Sequence, residues 1–369
     1  KEEKRANGVH YTPCEIFMEH IFPKIKNDLW DYCWIDLYCG EGNLIFPILE
    51  SIPKERRIEF FMDHIRMIDV DESAVKKCVG RATELGIPKE IAEKNIKNAD
   101  TLIAFPKIDS KYELFHITNP PYLYLGYISK HPETQKHLKY FHGKREGLQD
   151  LYQIALANDA NAGIKNMIYI IPSNLLFGDS ISNRIRSIIF PRYSLKSAIV
   201  FEKKIFSETG VNVLIGFFSK KPAISTVPQD IEITKINSRI IRKTMTISEK
   251  NNWRAGGLFD LYLEKFKANG HETSFYLLMK EIKKHPGNTQ ISLIDSSDYS
   301  GSGYRRLTIH ASNGFANKVK NNLLWIRTVD TGSENGKAGV YNIGKEFSAD
   351  GIVVGNDFTY RTSPIQVFF

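Results

Sequence analysis

Between about residue 34 and residue 220, short apolar runs rich in Ile, Val, Phe and Tyr alternate with amphipathic stretches, and this alternation constrains the fold more than any other feature. Runs of that length and composition suit strands, and the stretches between them suit helices, so the pattern predicts a mostly parallel sheet with helices packed on it, an α/β domain. The strands are expected at 34–38, 65–70, 114–118, 167–171, 196–201 and 211–218, with a further strand ending near Asn98. Helices are expected at 43–51, 72–85, 148–160 and 180–190, the last with Asp179 and Ser180 as caps.

A polar stretch containing Pro222 follows the last strongly apolar run, and the domain boundary is placed there, giving domains 1–222 and 223–369. The second part reads as α+β, with a helix over 258–269 and a polar tract over 296–302. It holds 19 Lys and Arg against 14 Asp and Glu, so it supplies most of the chain's net charge of +8 and favours a polyanionic partner. No apolar run approaches the length of a membrane span, and the charged start Lys1-Glu2-Glu3-Lys4-Arg5 lacks the apolar stretch of a secretory signal; a cytoplasmic protein with no membrane partner is expected. The four cysteines show no paired C-x-x-C spacing, which points to reduced thiols and no metal site.

The segment Asp36-Leu37-Tyr38-Cys39-Gly40-Glu41-Gly42-Asn43 sets an acid and two glycines at a strand-to-helix turn, where the missing Cβ atoms would let a ligand approach the backbone. It lacks the Lys-Ser/Thr pair of a phosphate loop and the third glycine of a dinucleotide fingerprint, and Asp36 and Glu41 would repel phosphate while suiting a cationic ligand. Two further acids stand where the next strands should end. Asp69 is placed to accept ribose hydroxyls, with Val70 covering an adenine face, and Asp100, followed by Thr101, is placed to accept from an adenine amino group.

After the strand at 114–118 comes Asn119-Pro120-Pro121-Tyr122. Two prolines make a rigid loop that presents free carbonyls. An aromatic amino nitrogen has its lone pair delocalised into the ring and attacks a methyl group poorly. The Asn119 side-chain oxygen and the Pro120 carbonyl can accept its two hydrogens and draw it toward a tetrahedral geometry. Tyr122 offers a face on which a base drawn out of a duplex could stack.

These motifs, over roughly residues 8–220, resemble those of the gamma class of DNA adenine-N6 methyltransferases of restriction-modification systems. The resemblance implies a class I S-adenosylmethionine-dependent methyltransferase, Rossmann-like, with a mostly parallel sheet and an antiparallel final strand, followed by a target-recognition domain. Tyr11, Thr12 and Pro13 match the segment that closes over the methionine part of the donor; Asp36, Tyr38, Gly40, Gly42 and Asn43 match its glycine motif; Asp69, Val70, Asp100 and Thr101 match its nucleoside contacts. Asn119 to Tyr122 match the catalytic tetrapeptide, and Phe206 would be a second aromatic wall for the target base. S-adenosylmethionine is then the donor, with no metal required.

In the resembled class the basic C-terminal part binds the polymer. Arg305, Arg306, Lys318 and Lys320, with Tyr299, Tyr304 and Trp325 among them, are the candidates for DNA contacts, and the His- and Lys-rich stretch 131–144 reads as an exposed loop that could lie along DNA. Double-stranded DNA is the expected partner of a monomer, alongside a separate or fused restriction endonuclease. The alternatives are cytosine N4 methylation, methylation of RNA or of a glutamine side chain, and a catalytically silent DNA-binding specificity module.

Overall fold

The computed structural model describes residues 12–202, 212–256, 277–300, 303–327, 339–354 and 365–366. It divides into two compact units, 1–261 and 262–369. The first is built on a nine-stranded sheet: β1 (Tyr32–Asp36), β2 (Ile65–Asp69), β3 (Ile96–Asn98), β4 (Glu113–Thr118), β5 (Asn166–Pro172), β6 (Tyr193–Phe201), β7 (Val213–Lys220), β8 (Gln229–Ile236) and β9 (Ile240–Ile247). Their order is β3-β2-β1-β4-β5-β7-β6-β8-β9. The first five strands pair in parallel, and β7 runs antiparallel between β5 and β6. This is a mixed, largely parallel α/β sheet, as the resemblance implies. The order reverses between β1 and β4, which opens a crevice at their carboxyl ends.

Several helices carry visible start and stop signals. Helix α1 spans Cys14–His20 and α2 spans Phe46–Ser51. Helix α3 (Glu72–Glu84) is capped by Asp71, whose carboxylate accepts from Ser73 N at 2.8 Å. Helix α4 (Leu151–Ala162) starts on the side chain of Asp150 and ends at Gly163 in the left-handed region at φ 77°. Every residue from Leu151 to Ala160 is buried, which explains a sequence with almost no polar face. Helix α5 (Asn183–Ile189) departs from expectation: Asp179 and Ser180 give no side-chain cap, and a 3₁₀ turn over Ser180–Ser182 leads into it. The buried Arg186 guanidinium instead holds this turn by donating to Gly178 O and Asp179 O.

The boundary expected at residue 222 lies later. β8 pairs in parallel with β6, and β9 pairs antiparallel with β8, so the sheet continues to residue 247. Ile231, Ile233 and Ile236 of β8 are buried between more exposed polar neighbours; this alternation marks a strand with one face in water, unlike the continuously apolar runs before it. The helix expected over 258–269 lies outside the described residues.

The second unit holds two sheets of its own. β10 (Leu277–Leu278), β11 (Thr289–Ser300), β12 (Gly303–Ala311) and β15 (Gly351–Val354) form one, in the order β10-β15-β11-β12. β13 (Leu324–Arg327), β14 (Gly339–Asn342) and β16 (Ile365–Gln366) form the other, and helix α6 (Asn313–Asn321) buries Ala316 and Val319. The α+β reading of this part holds. Among the described residues no helix is long and apolar enough to cross a membrane.

A buried polar network fixes the β1 tip. Leu37 N donates to His116 Nε2 at 3.2 Å, so the ring proton resides on Nδ1, which donates to Asp159 on α4. Tyr169 on β5 donates to the same carboxylate oxygen at 2.7 Å. Replacing His116 by Leu puts an apolar group of similar size in its place, leaves the buried Asp159 carboxylate with the Tyr169 hydroxyl but without its imidazole donor, and strands the Leu37 amide. The expected loss is about 3–5 kcal/mol of stability, read as a lower urea midpoint at unchanged slope; a loss below about 1 kcal/mol contradicts the network's role.

Candidate active site

The sequence-predicted residues that the structure describes in the first unit gather at the carboxyl ends of β1 to β4. Asp36 ends β1, Asp69 ends β2, Asp100 follows β3, and Asn119 follows β4 directly. The tips are stitched together by backbone and side chain: Ala99 N donates to Asp69 O at 3.0 Å, and Asn98 Nδ2 donates to Val70 O at 3.0 Å. Tyr11 and Phe206 lie outside the described residues.

Asp36 is buried, and its Oδ1 accepts from Thr118 Oγ1 at 2.7 Å and from Tyr38 N at 3.1 Å. Burial lifts its carboxyl from the usual 3.8 to about 6, while the hydrogen bonds from Thr118 and Tyr38 pull the other way. Asp69 is also raised, first by burial. Its Oδ2 accepts from Gly40 N at 2.7 Å and its Oδ1 from Asp71 N at 2.9 Å, so each oxygen retains a lone pair for a hydroxyl donor. Val70 beside it is 66% exposed and Ile103 is 56% exposed. Two apolar side chains left in water beside half-buried carboxylates suit the faces of a flat heterocycle. Thr101 is buried and donates to Leu37 O at 2.7 Å, so it joins β1 to the Asp100 turn.

Glycine-loop residues also make contacts within the fold. Gly40 and Gly42 adopt φ 50° and 77°. A Cβ on Gly42 would meet the Phe46 ring at 2.3 Å and Met67 Cε at 2.8 Å, so that glycine admits the first turn of α2. Tyr38 stacks near His116, with centroids 6.3 Å apart, and is partly buried among core residues. The charge of Glu41 is met by Lys77 at 3.0 Å.

The tetrapeptide is held on two sides. Asn119 Nδ2 donates to Thr12 Oγ1 at 3.0 Å, and Asn43 Nδ2 donates to Thr12 O at 3.2 Å, so Thr12 bridges the glycine loop and the tetrapeptide loop. With its nitrogen so engaged, Asn119 presents Oδ1 as acceptor, and it accepts there from the Tyr122 hydroxyl, which also contacts Ile170 O at 2.5 Å. Tyr122 is 9% exposed and packs edge-on against Tyr152. The stacking face expected of Tyr122 is therefore largely covered in this conformation, because its hydroxyl draws the ring inward. Behind the loop, Asp150 Oδ1 accepts from Leu123 N at 2.9 Å while capping α4.

Thr118 is not among the site residues expected from the sequence, whereas Asp150, with Leu151 and Tyr152, resembles a later motif of the same family. The available signal for Thr118 was a hydroxyl residue directly before Asn119. The stretch 131–144 is not the exposed loop expected: Pro132–Phe141 is a 3₁₀ helix with Thr134, Tyr140 and Phe141 buried.

In the second unit the basic candidates divide. Arg305 is exposed and pairs with Asp298 at 3.4 Å, whereas Arg306 donates to Phe347 O at 2.7 Å and Ser348 O at 3.3 Å. Adjacent residues on a strand face opposite ways, so the two arginines cannot share one contact surface. Lys318 and Lys320 are exposed in the last turn of α6, where they also complement the helix dipole. Trp325 is buried and Tyr304 packs against Phe347, so both serve the core rather than a contact surface.

The sequence model of the family N-6 DNA Methylase matches residues 1–306. No curated protein matches the chain. Among solved structures, the chain is similar to the DrdV–DNA complex at 11% identity and a TM-score of 0.53, over 88% of this chain and 37% of that one. It is similar to the Type IIL restriction-modification enzyme MmeI bound to DNA at 14% identity and a TM-score of 0.51, over 99% of this chain and 63% of that one. A third likeness is to the Type ISP restriction-modification enzyme LlaGI with a DNA substrate mimic, at 12% identity and a TM-score of 0.50, over 78% of this chain and 29% of that one. The chain thus spans less than two thirds of the length of each, and the likeness is one of fold.

Burial raises the Asp150 carboxyl from the usual 3.8 to about 7, with amide donors from Leu123, Tyr152 and Leu151 opposing. A carboxyl raised on folding binds more protons in the folded state, so its contribution weakens as pH rises through the window from 3.8 to about 7. Asn at this position still caps the helix and does not ionise. Stability of Asp150→Asn relative to the native chain is therefore expected to gain up to about 1.4 kcal/mol per pH unit across that window; parallel stability–pH curves for the two proteins contradict it.

Proposed function

Because the chain belongs to the N-6 DNA methylase family, we propose that it transfers a methyl group from S-adenosylmethionine to the N6 amino group of adenine in duplex DNA, as the modification activity of a restriction-modification system. One observation carries the reading. Asn119 Oδ1, aimed by the bond from Nδ2 to Thr12, already accepts a hydrogen from the Tyr122 hydroxyl at the crevice between β1 and β4. An amino group is a donor of the same kind and can take that place.

The residues present fit the donor. Asp69 has acceptor capacity for ribose hydroxyls, Val70 and Ile103 offer apolar cover, and Asp100 offers an acceptor for an amino group. When bound, S-adenosylmethionine supplies an activated methyl group on a positively charged sulfur. The protein's part is to hold and orient. Asn119 Oδ1 and the Pro120 carbonyl accept the hydrogens of the target amino group and raise the electron density at its nitrogen. Tyr122 must release Asn119 to let the base in, and the bond to Ile170 O gives its hydroxyl somewhere to remain. Drawing the base out of the helix is needed because the amino group is otherwise inaccessible to the crevice. DNA is the partner named for the DrdV and MmeI complexes; its extension to this chain is supported by the basic balance of the residues after 222.

Incubation with methyl-labelled S-adenosylmethionine and plasmid DNA should yield N6-methyladenine on nucleoside analysis. Asn119→Ala should lower transfer by at least about 100-fold while weakening donor binding by no more than about fivefold, the worth of its contact with Thr12. Label recovered only as N4-methylcytosine, or only in RNA or protein, would overturn the assignment.

A further inference from the structure

We infer that Tyr140, supported by Lys139, is a specificity residue that sets Asp100 to select a 6-amino purine in the methyl donor. The inference rests on the donor site proposed above. Tyr140 and Lys139 lie far from Asp100 in sequence, in the stretch between the tetrapeptide and α4, and the fold brings them onto it. Tyr140 Oη donates to Asp100 Oδ2 at 2.6 Å, and Lys139 Nζ reaches the same oxygen at 3.3 Å. Lys139 also lies over the Tyr140 ring, 4.8 Å from its centroid.

The surrounding contacts show that this stretch is built against the Asp100 turn. Arg145 donates to Ile103 O and to Asn158 Oδ1, and Asn158 Nδ2 in turn donates to Thr101 O and Leu102 O. Tyr140 is 6% exposed. Burial, and then the carboxylate it faces, hold its hydroxyl well above the usual phenol range, so it keeps its proton and acts as the donor.

Chemistry follows from which oxygen is used. A carboxylate offers about four acceptor directions on its two oxygens. Two donors converge on Oδ2, and Oδ1 takes neither of them. With Oδ2 pinned, the carboxylate cannot rotate freely, and Oδ1 is presented in one orientation to the ligand edge. An amino group there donates a hydrogen; a 6-oxo group would set a lone pair against the carboxylate, and a site built to accept from N–H rejects the analogue that lacks it. Without the Tyr140 hydroxyl, Oδ1 is no longer held toward the ligand edge, the amino group loses its aimed acceptor, and discrimination falls.

The test is binding of S-adenosylhomocysteine and of its 6-oxo counterpart, S-inosylhomocysteine, to the full chain, measured by calorimetry. The native protein should prefer the amino ligand by about 10-fold or more. Tyr140→Phe should weaken the amino ligand by about five- to tenfold and leave the 6-oxo ligand within about twofold. Lys139→Met, at an exposed position that does not endanger folding, should show the same selective loss at smaller size. Equal weakening of both ligands, or none, in either folded variant would overturn the specificity role while leaving the donor site standing. Failure of the native protein to bind either ligand would overturn the donor site itself, and this inference with it.

Discussion

The hydrogen bond of 2.7 Å from Thr118 Oγ1 to Asp36 Oδ1 joins the end of β1 to the end of β4, and the geometry of the candidate site depends on it. These strands are neighbours at the point where the strand order reverses, so their carboxyl ends diverge and leave a crevice. The glycine loop leaves one strand end and the tetrapeptide leaves the other. A buried carboxylate that accepts from both Thr118 and Tyr38 fixes the separation of the two loops before any ligand arrives.

Around that bond the structure repeats one device, in which a buried acceptor is held by backbone or side-chain amide groups from a different element. Asp150 receives Leu123 N behind the tetrapeptide, His116 receives Leu37 N behind the glycine loop, and Thr12 receives Asn119 and Asn43 in front. Burial makes these contacts strong, since water competes poorly there, and it makes each lost partner expensive. Rigid loops with few alternative arrangements are what an activation mechanism based on aimed acceptors requires.

The sheet and most of the crevice were legible in the sequence because the central strands are mostly apolar and β1, β2 and β4 run into Asp36, Asp69 and the tetrapeptide. β8 and β9 were not legible, because their alternating pattern is that of a half-exposed strand and follows a proline-containing stretch that looks like a linker. The roles of the residues were less legible than their positions. Gly42 reads as a ligand-clearing glycine, yet the space it frees is filled by Phe46; Tyr122 reads as an open platform, yet its hydroxyl is bound to Asn119 and Ile170. Spacing along a chain says which residues reach a crevice. It does not say which of them turn away to satisfy a neighbour, as Tyr140 does in reaching back to Asp100 across about 40 residues.

The proposed donor loop and the tetrapeptide act as one unit through the β1–β4 tips. Thr118→Val removes the hydroxyl at nearly constant shape, and the single-turnover rate of DNA methylation as a function of S-adenosylmethionine concentration reads both loops at once. The rate at saturating donor is expected to fall by about 10-fold or more, and half-saturation to shift upward by about fivefold. A Thr118→Val protein with both quantities within about twofold of native would contradict it.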